Sequence, residues 1–329
     1  MSITVVIPSY KHADVLANTL NSISRQTALS AIDKIIISEN SDDVSAKAVC
    51  DLFNDLPIEY IQNTTIKGMV ANWAWVIDQS KSLYTAMLHD DDWWYPTHLE
   101  NALKALENPA VGSYFSNFIF SKDEKLNQTR FHFLLMNFLG DKIKSPLQTI
   151  ELNFEEVATL SYLYTPFHMS CLVAKTSILQ NANDEGLRKS DGWNADRSLY
   201  PHLALKDNIA FSPQFLCAVR SHTNQYSYRL ATENQQRNFD LFQSMSEYFI
   251  ELASTNGVDI LSNWKRIKDR STFEEWTVIV NTYNAHFGKL HNSLFQHKKV
   301  SSNTKSVISV AKQAIKTLTP YGLVKLRNK

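Results

Sequence analysis

Tyr84-Thr85-Ala86-Met87-Leu88 runs directly into His89-Asp90-Asp91-Asp92. The first five residues form a short apolar run of strand length, and three adjacent carboxylates follow with no spacer. Carboxylates this close repel one another and are costly unless a cation neutralises them. In an open parallel sheet, ligands bind beyond the carboxyl ends of the strands. A strand that ends on such a cluster therefore predicts an α/β fold with a binding crevice at this edge.

The rest of the N-terminal half has the same grammar. Ile3-Thr4-Val5-Val6-Ile7 is closed by Pro8, Ile35-Ile36-Ile37 ends in Ser38-Glu39-Asn40-Ser41-Asp42-Asp43, and residues 58–61 form another run. Between them, helices are expected from a cap at Asp14 (with Leu16, Leu20 and Ile23 at helical spacing), over 46–53 and over 70–79. Strands alternating with helices predict βαβ units and a mostly parallel, Rossmann-like sheet flanked by helices. Ser9-Tyr10, Glu39-Asn40 and residues 89–92 each follow a strand, so they are expected to converge on one crevice. Further strands are expected over 115–120 and 170–174, with 203–211 and 215–219 completing the domain. From about Glu233 the pattern is helical, with Phe239, Leu241, Phe242, Met245 and Phe249 on an apolar face. The expected organisation is a catalytic domain over 1–228 and a helical C-terminal region over 229–329.

Bulk properties narrow the class. The 329 residues are 44% hydrophobic and 20% charged, ordinary values for a folded globular chain. The formal net charge is zero, which gives no reason to expect a nucleic-acid partner. That average hides an asymmetry, because after Glu275 every charged residue is basic, from Lys289 to Lys329. Cys50, Cys171 and Cys217 are odd in number and widely spaced, as in a reducing compartment. The first residues carry no basic leader and no apolar run reaches bilayer length, so a cytoplasmic location is expected.

Two readings of the acidic turn stand at this point. Oxygen ligands on a short turn suit Mn²⁺ or Mg²⁺ holding a substrate diphosphate. Alternatively the turn is solvated and Asp92 caps a helix near Pro96. Trp93-Trp94-Tyr95-Pro96 favours the first, because aromatic side chains at a turn suit the wall of a ligand cleft.

Taken in order, Val5-Val6-Ile7-Pro8-Ser9-Tyr10, Ile36-Ile37-Ser38-Glu39-Asn40-Ser41, and Leu88-His89-Asp90-Asp91-Asp92 followed by Pro96 and Leu99-Glu100 resemble family 2 glycosyltransferases with the GT-A fold. Asn63, Gly68 and Asn72 are similar to the family's intervening segment, and the resemblance covers roughly residues 3 to 225. It implies that Pro8, Ser9 and Tyr10 lie against the nucleotide. Glu39 takes the place of an Asp that contacts base and ribose, and Asn40, Lys67 and Asp90 join the nucleotide site. The family's Asp-X-Asp pattern falls on His89 and Asp91. The implied metal ligand is therefore Asp91, with Asp92 beside it and His89 either on the metal or bonded to ribose or phosphate. Asp196 falls at the position of the general base, with helix capping as the alternative role of Asp196 and Asp191 as the second candidate for the base. Arg220-Ser221-His222 is similar to the family's late turn, in which His222 would approach metal or diphosphate.

The implied activity is an inverting, hexosyltransferase-type reaction from a nucleotide-sugar donor to a glycan or lipid-linked glycan, as in bacterial surface polysaccharide synthesis. Val307, Val310, Ala311, Ala314, Ile315 and Leu318 form one face of a basic amphipathic helix ended by Pro320. This tail suits an anionic membrane surface and would place the protein peripherally on the inner face of the plasma membrane. Two rivals remain. A sugar-nucleotide nucleotidyltransferase would carry a Gly-rich loop after the first strand, where Ser9-Tyr10-Lys11-His12 has no glycine. A catalytically inactive module that keeps the GT-A fold is consistent with His89 and with Ala195 before Asp196.

Overall fold

The structure, a computed structural model, describes residues 1–122, 125–127, 142, 144–145, 147–163, 167–190, 195–221 and 235–270. The chain divides into two units, Met1–Asn263 and Trp264–Lys329. Of the second, only residues 264–270 are described. His222, Asp191 and the tail beyond residue 300 lie outside the described residues, as does most of the 122–166 stretch up to residue 146.

The strands β1 (Ile3–Ser9), β2 (Ile32–Glu39), β3 (Ile58–Gln62) and β4 (Tyr84–Met87) pair in parallel in the order β3-β2-β1-β4. All seven residues of β1 are buried, so both faces of the sheet are covered there. This is why its sequence is continuously apolar and β-branched rather than alternating. The connecting helices are α1 (Ala13–Ser24), α2 (Ser45–Cys50) and α3 (Met69–Asp78). The start of α1 differs from expectation: His12 occupies the cap, no side-chain cap bond forms, and Asp14 sits in the first turn. Ahead of α3, Gly68 adopts φ 95°, a left-handed conformation that favours glycine.

Beyond β4 the sheet becomes mixed. β5 is Trp93–Trp94, followed by α4 (His98–Leu106), β6 (Val111–Lys122), β7 (Lys125–Asn127), β8 (Ile150–Leu152) and α5 (Phe154–Leu163). Next come β9 (Leu172–Lys175), α6 (Thr176–Glu185), α7 (Leu199–Leu203) and β10 (Asn208–Arg220). The sheet continues β4-β9-β6-β10-β5, with β9 antiparallel to both β4 and β6. The expected strand over 170–174 therefore starts late: Met169–Cys171 is a 3-10 turn and the strand begins at Leu172. The two expected runs at 203–211 and 215–219 are one strand, β10, whose register slips around Pro213, a residue that cannot donate to a ladder. Leu203 instead ends α7.

Trp94 is 2% exposed, stacks on His98 and donates its indole N–H to the Ser170 carbonyl. It is core, not cleft wall. The capping alternative for Asp92 also falls, because α4 begins at His98 with Thr97 in the cap. The three cysteines are free and buried.

An aromatic cluster of Phe115, Phe167, Tyr200 and Phe211 joins β6, the segment before β9, α7 and β10. The helix α8 (Gln235–Thr255) packs against α5 and buries Phe249; it is followed by α9 (Ile260–Arg270). A close approach fixes Gly186, where an added Cβ would stand 2.6 Å from the Ser198 carbonyl oxygen. Because that neighbour is backbone, Gly186→Ala is expected to cost about 1–3 kcal/mol in urea-induced unfolding. Wild-type stability in that variant would show that the 195–198 turn can shift freely.

Candidate active site

Parallel pairing sets Ser9 level with Glu39, and Glu39 level with Gln62, so these strand ends share one edge. Glu39 is fully buried. One of its oxygens accepts the Ser9 hydroxyl at 2.9 Å, and the other accepts the backbone N–H groups of Ser41 at 3.0 Å and Lys11 at 3.3 Å. It ties the loop after β1 to the loop after β2. Lys11 takes φ 60° there, a left-handed conformation costly for a side chain, and lies over the half-exposed Tyr10 ring. Asn40 is buried and donates to the Gly68 carbonyl, Pro8 is buried, and Lys67 is exposed.

The acidic turn is bound to the same loop. Asp90 accepts the Tyr10 N–H at 3.0 Å and faces His12 Nδ1 at 3.0 Å. That bond with the carboxylate, against the opposing effect of burial, lifts the His12 pKa to about 9 and makes it cationic at neutral pH. Thr19 donates to the carbonyls of Asp90 and Asp92 and pins the turn on α1. Arg220, at the end of β10, donates its Nε to the Asp91 carbonyl and stacks on Trp93.

Asp92 is 1% exposed and accepts the Ser170 hydroxyl and the Arg220 backbone N–H. Burial first, and the charge of Asp91 second, push its pKa well above the usual carboxylate range. Two imidazoles face it: the Nδ1 atoms of His89 and His168 lie 3.7 and 3.8 Å from Asp92 Oδ2. His89 stacks on Trp73 and meets His168 edge-on. Burial lowers both imidazole pKa values, that of His168 to about 3, so both rings are neutral at pH 7. Among the described residues, His89, Asp92 and His168 are the side chains able to hold a metal ion together, with ligand atoms within 4.8 Å of one another.

Asp196 lies on the 3-10 turn Ala195–Ser198 leading into α7. Tyr200 donates its hydroxyl to Asp196 at 2.7 Å and also lies 3.1 Å from the Phe167 carbonyl, so the carboxylate is linked through Phe167 to the His168 segment. Burial raises the Asp196 pKa to about 6, with the Tyr200 bond opposing it. The structure thus brings Ser9, Tyr10 and Glu39 together with the acidic turn, and ties Asp196 to that neighbourhood through Tyr200.

His12, His168, Ser170 and Tyr200 are members of this network that the sequence reading did not single out. His12 had a signal, lying two residues past the first strand-end turn. His168 had none, because it precedes a strand whose antiparallel direction only the tertiary pairing reveals.

The family model described as glycosyl transferase family 2 matches residues 4–168. Over 121 residues the chain is 26% identical to the Escherichia coli UDP-Glc:alpha-D-GlcNAc-diphosphoundecaprenol beta-1,3-glucosyltransferase WfaP, covering 37% of this chain and 47% of that protein. It is 32% identical over 107 residues to the uncharacterized glycosyltransferase YwdF of Bacillus subtilis (strain 168), covering 32% of this chain and 39% of that one. The chain spans less than half the length of either curated relative. Among solved structures, S. aureus TarS 1–349 in complex with UDP-GlcNAc matches with TM-score 0.55 at 14% identity, over 87% of this chain and 73% of that chain. At that identity the likeness is one of fold. It agrees with the expected GT-A architecture.

Proposed function

The chain belongs to glycosyl transferase family 2, and from that premise we propose that it is an inverting transferase moving a hexosyl group from a uridine diphosphate sugar to a hydroxyl of a lipid-linked glycan. The observation that carries the reading is Asp196, a half-buried carboxylate with a pKa of about 6, tied through Tyr200 to Phe167, the residue before His168, whose ring lies 3.8 Å from Asp92. A general base works best with a pKa near the operating pH.

In the proposed step Asp196 takes the proton of the acceptor hydroxyl, whose oxygen bonds to the anomeric carbon. The bond from that carbon to the diphosphate oxygen breaks on the opposite face, and the nucleoside diphosphate leaves with the electron pair. Ser9, Tyr10, Asn40 and the loop tied by Glu39 would line the nucleotide, with Pro8 behind them and Lys67 and Asp90 at its rim. A divalent cation, Mn²⁺ or Mg²⁺, would neutralise the departing diphosphate. His89, Asp91, Asp92 and His222 are the residues the family resemblance nominates to hold it. The uridine donor is supported by the ligand of TarS and the donor named for WfaP, and the lipid-linked acceptor by the acceptor named for WfaP. A surface-polysaccharide role, with the basic tail on the inner membrane face, rests on the sequence. No helix among the described residues is long and apolar enough to cross a membrane.

Hydrolysis assays over UDP-, GDP-, dTDP- and CMP-sugars, with Mn²⁺ and with chelator, test the reading. Turnover of UDP-sugars suppressed by chelator is expected; inertness toward all four would favour the inactive-module alternative. Tyr200→Phe is expected to move the acid limb of kcat/KM to higher pH, because it removes the bond that favours ionised Asp196. An unmoved limb would separate Tyr200 from the base.

A further inference from the structure

The three-residue cluster at the acidic turn is built like a metal centre, and its composition differs from an all-carboxylate one. His89 and Asp92 come from the turn itself. His168 comes from the segment ahead of β9, which reaches this edge because β9 runs antiparallel to β4. Ligands bonded to one ion at about 2.0–2.2 Å lie roughly 3–4.4 Å apart, according to the angle between them. The 3.7 Å contact of His89 Nδ1 falls in that range; His168 Nδ1, at 3.8 Å, accepts the Ser170 backbone N–H at 3.3 Å, so this ring would meet an ion through Nε2 or by giving up that bond, and the 4.8 Å limit of the set needs only a small contraction. Neither imidazole–carboxylate contact is short enough to be a hydrogen bond.

The surroundings hold these groups in place. Asp92 is oriented by the Ser170 hydroxyl and the Arg220 N–H. Ser170 also accepts the His89 backbone N–H at 3.1 Å, and Trp73 lies against the His89 ring at 4.8 Å. Phe118 lies 5.3 Å from the His168 ring. Outer partners of this kind orient metal ligands. His89 Nε2 is also buried without a hydrogen-bond partner among the described residues, which permits the ring to turn either nitrogen toward an ion.

We propose that His89, Asp92 and His168 supply a two-imidazole, one-carboxylate site for a divalent transition metal, so that this chain takes Mn²⁺, Co²⁺ or Zn²⁺ in preference to Mg²⁺. The preference follows from ligand chemistry: imidazole suits the transition metals, whereas Mg²⁺ selects oxygen and keeps its waters. The inference rests on the transferase reading and deepens it: His168 stands where the resemblance nominates Asp91 and His222, and one of the two cations is chosen. The experiment is therefore made without nucleotide.

The full chain is titrated with Mn²⁺ alone, the unbound ion is followed by electron paramagnetic resonance, and bound Mn²⁺ is examined by pulsed methods for ¹⁴N couplings. One ion per chain with couplings from two imidazoles is expected, unmoved by about a hundredfold excess of Mg²⁺. In His168→Gln one coupling should vanish and the Kd should rise at least about tenfold. Bound Mn²⁺ lacking nitrogen couplings would overturn the proposal, as would an unchanged Kd in a folded His168→Gln or no binding at millimolar Mn²⁺. The wild-type spectrum decides even if the variant fails to fold. A chain that gives the couplings but turns over no nucleotide sugar would keep this site and lose the transferase reading.

Discussion

Asp196→Asn is expected to lower kcat by about 10²–10⁴-fold, the usual contribution of a positioned general base, while leaving the Kd for UDP unchanged. Asparagine keeps the shape and still accepts the Tyr200 hydroxyl, so geometry survives and basicity does not. In the wild type, kcat/KM should fall about tenfold per unit below pH 6, because the proton that disables the base binds with a pKa of about 6. Stability should move in the opposite sense to activity. The folded pKa lies above the ordinary 3.8, so the folded chain binds this proton more tightly than the unfolded chain. This group's contribution to stability is therefore present at low pH and is lost as pH rises from about 4 through about 6. Asp196→Asn should accordingly raise Tm at pH 8 more than at pH 5. Wild-type turnover in this variant would remove Asp196 from the chemistry.

Arg197→Met should produce the largest loss of stability, about 2–5 kcal/mol in urea-induced unfolding, as expected when buried carbonyls lose a charged hydrogen-bond donor. The guanidinium is fully buried. It donates to the carbonyls of Ser161 and Tyr162 at the end of α5 and to Ser246 on α8 at 3.0 Å, and lies over the Phe249 ring. Methionine fills the volume but takes the guanidinium away from both helix-end carbonyls, leaving the Tyr162 carbonyl only the Ser246 hydroxyl at 3.3 Å among the side-chain donors of the described residues. Set against typical stabilities of about 5–15 kcal/mol, such a loss leaves a chain near its unfolding threshold. Arg197→Lys should recover little, since an ammonium cannot reproduce the planar fork. Because Arg197 adjoins Asp196, the clamp also holds the proposed base on its turn. Unaltered unfolding in Arg197→Met would show that the three elements are joined by other means.

Much of the fold was legible because burial on both faces of a parallel sheet leaves a strong local mark. Ile35-Ile36-Ile37 and Val5-Val6-Ile7 could hardly be anything but central strands, and they are. The edge shared by Ser9, Glu39 and the acidic turn was legible for the same reason, since in parallel strands the end of each run marks the same side. Trp94 misled because aromatic content alone does not distinguish a cleft wall from a core strand. The indole of Trp94 found its partner in Ser170, far away in the chain. Asp92 failed as a helix cap because α4 starts later, at His98.

By itself the sequence determined the alternation of strands and helices from β1 to β4, the parallel half of the sheet and the residue types at its carboxyl edge. Each of these follows from hydrophobic periodicity within a few consecutive residues. The tertiary structure alone decided the direction of β9, the burial of Arg197 and the meeting of His89, Asp92 and His168. Strand direction and buried pairing are energies between segments that lie from 35 to 128 residues apart in the chain. Local composition carries no record of them until the segments pack.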